Sequence, residues 1–151
     1  MSDDILIAAE YCRDYLQSPV DDLYSFYYSM QWAAAFHDQE LGAKDIPFEL
    51  KTFRDDLLGD RKDRLFATFQ ITGPSSLSPL EYGSVLTQCH PVLRAWYWKL
   101  QGIRDDWKKN QSKVQEQEKN TEIYIPLFSA FALRGVATLA ELVYEYTKEM
   151  D

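Results

Sequence analysis

The feature that most limits the possible folds is the spacing of apolar residues, which recur every three or four positions along nearly the whole chain. Strict alternation of apolar and polar residues over five or more positions is hard to find. Because the first spacing lines one face of a helix and the second one face of a strand, the pattern predicts helices throughout. A chain of 151 residues has the size of one domain with one core. We expect an all-α fold, a single domain over residues 1–151 built as an irregular bundle of about five to seven helices.

Prolines, glycines and capping residues divide this pattern into helices. Residues 18–21 (Ser-Pro-Val-Asp) and 78–81 (Ser-Pro-Leu-Glu) each place a carboxylate three residues after a serine, which is typical of a helix start. Gly42 and Gly59 are suited to a helix end, and residues 72–78 to a loop. All six prolines then fall at a boundary or in a first turn. The expected helices cover about 3–17, 19–41, 47–58, 61–70, 79–90, 91–118 and 122–149.

Three of these helices carry an apolar stripe that we expect to be buried. On the helix at 19–41 the stripe consists of Leu23, Phe26, Met30, Ala33, Ala34 and Leu41. On the helix at 91–118 it consists of Leu93, Trp96, Leu100, Ile103, Trp107 and Val114. On the last helix it consists of Phe128, Phe131, Ala132, Val136, Leu139, Val143, Tyr146 and Met150.

Two helices also carry apolar residues outside their expected stripe. Tyr28, Trp32 and Phe36 lie on the other side of the second helix, and Trp98 lies outside the stripe of the long helix. The last helix has a second strip beside a narrow polar edge of Arg134, Glu141 and Lys148; the strip consists of Ala130, Leu133, Ala137, Ala140 and Tyr144. A helix that is apolar nearly all round is either central in its own domain or covered by a partner. We take Tyr28, Trp32, Phe36 and Trp98 as the predicted contact residues for a protein partner or a second copy.

The charge is unevenly distributed, which suggests an alternative. The net formal charge is −8, yet residues 61–120 carry an excess of basic side chains. Lysine and arginine on one face can neutralise phosphates, so this segment could contact nucleic acid within a larger complex. The candidate residues are Arg61, Lys62, Arg64, Arg94, Lys99, Arg104, Lys108 and Lys109. Solvated helix faces explain the same charges more simply, and the acidity of the whole chain opposes polyanion binding.

Catalytic and metal-binding patterns are weak, so we expect no catalytic residue, metal or cofactor. The two histidines are His37, which we expect in the core, and His90, which we expect at a helix end beside Cys89 and Pro91. Neither has the surroundings of an activated nucleophile. Glu141 and Glu145 have the helical spacing of a carboxylate pair for Mg²⁺, as do Glu10 and Asp14, which leaves a carboxylate-dependent hydrolase as a third hypothesis.

The leading hypothesis is a non-catalytic interaction protein, either an adaptor or a small subunit of a cytoplasmic assembly. The N-terminus is acidic where a secretory signal is basic, and we expect no membrane partner. Cys12 and Cys89 are far apart and form no CxxC pair, which is typical of a reducing compartment. The second hypothesis is a helical subunit of a nucleoprotein complex.

Overall fold

The computed structural model describes residues 18–37, 46–115 and 121–148, with side chains at 18–37, 46–111 and 125–148. This part of the chain is all-α and contains no strand. Its six helices are α1 (Pro19–Ala35), α2 (Phe48–Leu58), α3 (Arg61–Thr72), α4 (Pro79–Tyr82), α5 (Ser84–Gln115) and α6 (Thr121–Lys148). The all-α prediction is therefore confirmed, and the number of described helices is within the expected range.

The chain divides into two units, which we describe separately. The first unit contains the described residues of 1–28 and 98–151, and the second contains those of 29–97. In the first unit, the Trp107 ring of α5 meets the Phe128 and Phe131 rings of α6 edge to face, with centroids 6.3 and 5.3 Å apart. The Arg104 guanidinium of α5 lies 5.7 Å from the centre of the Tyr24 ring of α1. Aromatic rings thus provide the contacts of α5 with both other helices.

Helices α1 and α6 of the first unit approach each other closely at Gly135. This glycine is buried, and a Cβ atom placed on it would overlap the Cδ1 atom of Leu23. Leu23 therefore occupies the space that any other residue at 135 would need for its side chain. Because protein interiors are close-packed, this contact sets the distance between the two helices and the face that α6 turns toward α1.

In the second unit, α2 packs against α3 and α4. The Phe53 ring of α2 meets the Tyr82 ring of α4 edge to face at 6.4 Å. Arg54 is also buried, and its Nε donates a 2.6 Å hydrogen bond to the carbonyl of Ala35 at the end of α1. The last carbonyls of a helix have no partner within it, so a buried guanidinium there satisfies one and complements the helix dipole.

Most of the predicted boundaries agree with the structure, including the helix start at Pro19. Ser18 and Asp21 form the expected reciprocal cap, with the Ser18 amide 2.7 Å from Asp21 Oδ2. The restart of the helix after Gly59 is confirmed, and Asp60 caps α3 with its carboxylate. At 78–81 the helix starts as predicted, but the Ser78 side chain makes no cap bond. The predicted helix at 3–17 lies outside the described residues.

Three predicted boundaries are wrong. The helix expected at 79–90 is divided at Gly83 into α4 and the start of α5. Pro91 does not open a helix, because it lies inside α5, which runs unbroken from Ser84 to Gln115. The cost of an internal proline, about 3 kcal/mol, is offset by a buried stripe that continues on both sides of it through Leu86, Leu93 and Trp96. The helix predicted at 19–41 ends at Ala35, where Arg54 binds the terminal carbonyl.

The predicted stripe of α5 is confirmed from Leu93 to Trp107, while the Val114 side chain lies outside the described part. The stripe of α1 is partly wrong, because Phe26 is 54% exposed and Ala33 is exposed. The buried residues of α1 are Pro19, Val20, Asp21, Leu23, Tyr24, Tyr27, Gln31, Ala34 and Ala35. Tyr24, Tyr27 and Gln31 follow the three-four spacing here. A search for strictly apolar residues does not include them. The prediction of one domain over residues 1–151 stays a prediction.

The contact at Gly135 yields a first prediction. Gly135→Ala should lower the free energy of unfolding by about 1–3 kcal/mol, because the new methyl group must displace Leu23. Urea unfolding followed by circular dichroism measures this loss. Gly102→Ala is the matched control, since no atom lies within 4 Å of the added Cβ. That variant should gain up to about 1 kcal/mol from its higher helix propensity. Equal behaviour of the two variants would contradict the close contact.

The cap of α3 yields a second prediction. Asp60 accepts hydrogen bonds from the Lys62 and Asp63 amides at 2.7 and 3.1 Å, and these bonds lower its pKa. A carboxylate whose pKa is lower in the folded state stabilises that state above the unfolded pKa, and this effect is lost as pH falls through the folded pKa. Asp60→Asn keeps a good cap that does not titrate. The Tm difference between the natural chain and this variant should therefore shift toward the variant below about pH 4. An equal Tm difference at about pH 3 and at about pH 7 would contradict this contribution of the Asp60 cap.

Candidate functional site

Helix α6 has two faces of different environment within the first unit. One face is buried and carries Phe131, Gly135 and Leu142. The opposite face is exposed, and its large side chains are apolar: Leu133 is 70%, Val136 60% and Tyr144 64% exposed. Between them lie the small residues Ala130, Ala137 and Ala140, all exposed. We call this side the α6 apolar face; it consists of Ile125, Ala130, Leu133, Val136, Ala137, Ala140, Val143 and Tyr144.

The second strip that the sequence indicated on this helix is thus exposed, but the extent of the face was missed. Val136 and Val143 were expected in the buried stripe and are exposed instead. The reason is the contact of Gly135 with Leu23, which turns Gly135 and Leu142 inward and so turns the two valines outward. The predicted polar edge is also exposed, and Arg134 within it donates a 2.9 Å hydrogen bond to Asp106 of α5. The charged groups are therefore confined to one border of the face.

The composition of α6 is unusual for a helix of which so little is buried. Within the described residues, the segment Ile125–Lys148 is long and apolar enough to span a membrane, by length and composition alone. The same properties belong to core helices of soluble proteins, but only 17% of its most apolar window is buried. Burial within the described part of the chain therefore does not explain why this helix is so apolar.

The predicted contact residues divide between the two units. Tyr28 and Trp98 belong to the first, and Trp32 and Phe36 belong to the second. Trp98 is 57% and Trp32 50% exposed. Phe36 is half-buried, because Trp32 stacks on one side at 4.7 Å and the Arg54 guanidinium lies 5.3 Å from its ring centre. Tyr28 is also half-buried, with ring contacts to Tyr24 and Tyr27. The two tryptophans are thus the more accessible of the four.

The eight basic candidates for nucleic-acid contact are also divided. Arg61, Lys62, Arg64 and Arg94 belong to the second unit, and Lys99, Arg104, Lys108 and Lys109 to the first. Within the first unit, Arg104 is held by Tyr24 and by a hydrogen bond to Gln101, and Lys109 lies 3.9 Å from Asp106. Asp105 and Asp106 lie between Arg104 and Lys108 in this part of α5, so acidic side chains interrupt the basic ones along the helix.

The histidine and cysteine side chains take different positions from those expected. His37 is exposed beyond the end of α1, so the expectation of a core histidine there is wrong. His90 lies inside α5 rather than at a helix end, and its Nε2 is 2.8 Å from the carbonyl of Ile71. Burial raises the pKa of the neighbouring Cys89 thiol, which disfavours the reactive thiolate. The His90 contact instead joins α5 to the last turn of α3.

The carboxylate pair considered for Mg²⁺ lies beside a shallow cleft between α5 and α6. Glu141 and Glu145 share this cleft of about 180 Å³ with two cations, Lys99 and Arg134. Nearby cations oppose the binding of a divalent metal because they repel it. No group of three or more histidine, cysteine, aspartate or glutamate side chains is placed to hold a metal within the described ranges. Glu10 and Asp14 lie outside them.

One exposed pair was not identified from the sequence. Phe66 and Phe69 of α3 are 59% and 62% exposed. They lie three residues apart, and Lys62 lies four residues before Phe66, so a helical wheel of 61–72 would have grouped them on one face.

No family model matches this chain, and no characterised protein or solved structure is significantly similar to it.

Proposed function

We propose that this chain is a non-catalytic interaction protein, an adaptor or small subunit of a cytoplasmic assembly, that binds its partner through the α6 apolar face. The observation that carries this proposal is the contrast between the two sides of α6. Phe131, Gly135 and Leu142 pack inside the first unit, while Leu133, Val136 and Tyr144 on the other side remain exposed.

The size and composition of the face support binding. The described apolar segment has 24 residues, which corresponds to a strip about 36 Å long. Contiguous apolar patches of this extent are rare on monomers and commonly mark interaction sites. Each Å² of apolar surface removed from water contributes about 25 cal/mol, so covering such a strip supplies a substantial driving force for association.

The distribution of charge supports a protein partner. Arg134, Glu141 and Lys148 form one border of the face, and no charged residue lies within it. An apolar centre with a polar rim is the usual composition of a protein interface. An interfacial membrane helix, by contrast, typically carries a basic polar face, and here that border includes both signs.

The contacts of the reactive side chains support a structural role for them. The His90 ring binds a main-chain carbonyl, and burial raises the pKa of the Cys89 thiol. The His90 contact joins α5 to α3 within the second unit.

Leu133→Glu tests the proposal. Leu133 is 70% exposed, so the helical content and Tm should be unchanged. Association should weaken at least about tenfold, because a carboxylate buried in an apolar interface loses its hydration. The measurements are sedimentation of the purified chain and its affinity capture from an extract of its own cells.

Leu80→Glu is the matched control, because Leu80 is 88% exposed and belongs to the second unit. This variant introduces the same charge into an equally accessible leucine and should leave every association unchanged. If Leu133→Glu also leaves every association unchanged, the α6 apolar face is not the binding surface and the proposal is wrong.

A further inference from the structure

We infer that the α6 apolar face binds a second copy of this chain, with the two α6 helices antiparallel about a two-fold axis near residues 138 and 139. This inference rests on the proposed function, because it names the occupant of the same face. Four properties of the face support it: its heptad pattern, the sizes of its side chains, its charges and its area.

The face follows a seven-residue repeat. If Leu133 and Ala140 are assigned to position d, then Ala130, Ala137 and Tyr144 fall at position a. A seam of a and d positions is the geometry by which two helices pack along their length. The f positions, which point away from such a seam, are Gly135 and Leu142, and these are the residues buried inside the first unit. The same helix can therefore pack in its own unit and against a second helix.

Side-chain sizes favour the antiparallel orientation. In this orientation the layers pair position a of one copy with position d of the other, so Ala137 faces Ala140 at the centre. Leu133 then faces Tyr144 on each side of that centre. Small residues in the middle allow close approach of the helices, and the larger side chains cover the ends. In a parallel pair, Tyr144 would face Tyr144 and Leu133 would face Leu133. The alanines would then face each other in separate layers and would not make room for the paired tyrosines.

The charges distinguish the orientations more sharply. Arg134, Glu141 and Lys148 are spaced by seven residues at position e, and all three are exposed. In an antiparallel pair the e positions of the two copies border each other, so Arg134 of each copy lies beside Glu141 of the other. In a parallel pair the e positions border position g, which holds Val136 and Val143. Only the antiparallel arrangement gives each of these two charges an opposite charge, and it does so twice by symmetry.

The existing contact of Arg134 is compatible with this pairing. One of its terminal nitrogens donates to Asp106 at 2.9 Å, and an arginine has five N–H donors arranged as a fork. The side chain is 52% exposed. The guanidinium can thus keep its bond to α5 and also meet a carboxylate from a second copy.

The available area meets the minimum for a specific interface. A pair centred at residues 138 and 139 overlaps over residues 129–148 of each copy, because α6 ends at Lys148. This is about 30 Å of helix, and half the surface of a cylinder of that length is roughly 500 Å² for each copy, or about 1,000 Å² in total. The two-fold pair thus covers the α6 apolar face on both copies at once, except for Ile125.

The test uses two charge reversals, measured by sedimentation equilibrium over a micromolar concentration series. Glu141→Arg places arginine beside arginine across the interface, and Arg134→Glu places glutamate beside glutamate. Each variant should raise the dimer Kd at least about tenfold. Circular dichroism confirms that each remains helical. An equimolar mixture of the two variants should form a heterodimer with a Kd near that of the natural chain, because the mixed pair restores both opposite-charge contacts.

Glu145→Arg is the matched control. It makes the same charge change on the same helix, four residues from Glu141, but at position b outside the seam. Its dimer Kd should equal that of the natural chain. A chain that remains monomeric over the whole series, a dimer insensitive to both reversals, or a mixture that fails to associate would each overturn the second-copy inference.

Leu133→Glu distinguishes failure of the second-copy inference from failure of the proposed function. If the natural chain is monomeric but captures another protein, and Leu133→Glu abolishes that capture, the α6 apolar face is a protein-binding surface and only the second-copy inference is overturned. Flotation with phosphatidylcholine vesicles that Leu133→Glu abolishes would overturn both, because the proposed function names a protein partner. If Leu133→Glu changes neither self-association, capture nor flotation, both the inference and the proposed function are wrong.

Discussion

The missing side chain at Gly135 determines how the first unit is arranged. Leu23 of α1 occupies the space in which a Cβ atom at position 135 would lie, so α6 must turn this residue inward. The rotation of a helix about its own axis is then fixed, because residues on the opposite side necessarily point outward. Leu133, Val136 and Tyr144 lie away from this contact and are exposed, and the contacts of Trp107 with Phe128 and Phe131 hold α6 in the same orientation.

Polar contacts at helix ends have a comparable role in the second unit. Arg54 ends α1 by binding the carbonyl of Ala35, and His90 binds the carbonyl of Ile71 in the last turn of α3. Carbonyls at the end of a helix lack partners within it, so buried side chains that reach them join one element to the next. Side chains that look reactive in a sequence therefore serve as connectors here, and an apolar surface is the binding site that we propose instead.

The residues selected from composition differ in exposure and in position because their neighbours in the fold differ. The aromatic residues Trp32, Phe36 and Trp98 were selected because they lay outside a stripe, and their exposure ranges from half-buried to 57%. Neighbouring side chains decide such values: Arg54 and Trp32 cover much of Phe36. The basic residues of 61–120 are distributed over two units, which a count of charges along the chain does not reveal.

Helix content and most helix starts were determined by the sequence alone, because they depend on contacts within a few residues. The Ser18–Asp21 cap and the Asp60 cap are of this kind. The orientation of each helix was decided only by tertiary contacts, since an amphipathic pattern with apolar residues on two sides is satisfied by more than one rotation. Pro91 shows the same limit for helix ends: its local preference is to stop a helix, and burial on both sides of it keeps α5 continuous. The packing energy of the many buried residues of α5 exceeds the local cost of one proline in the helix.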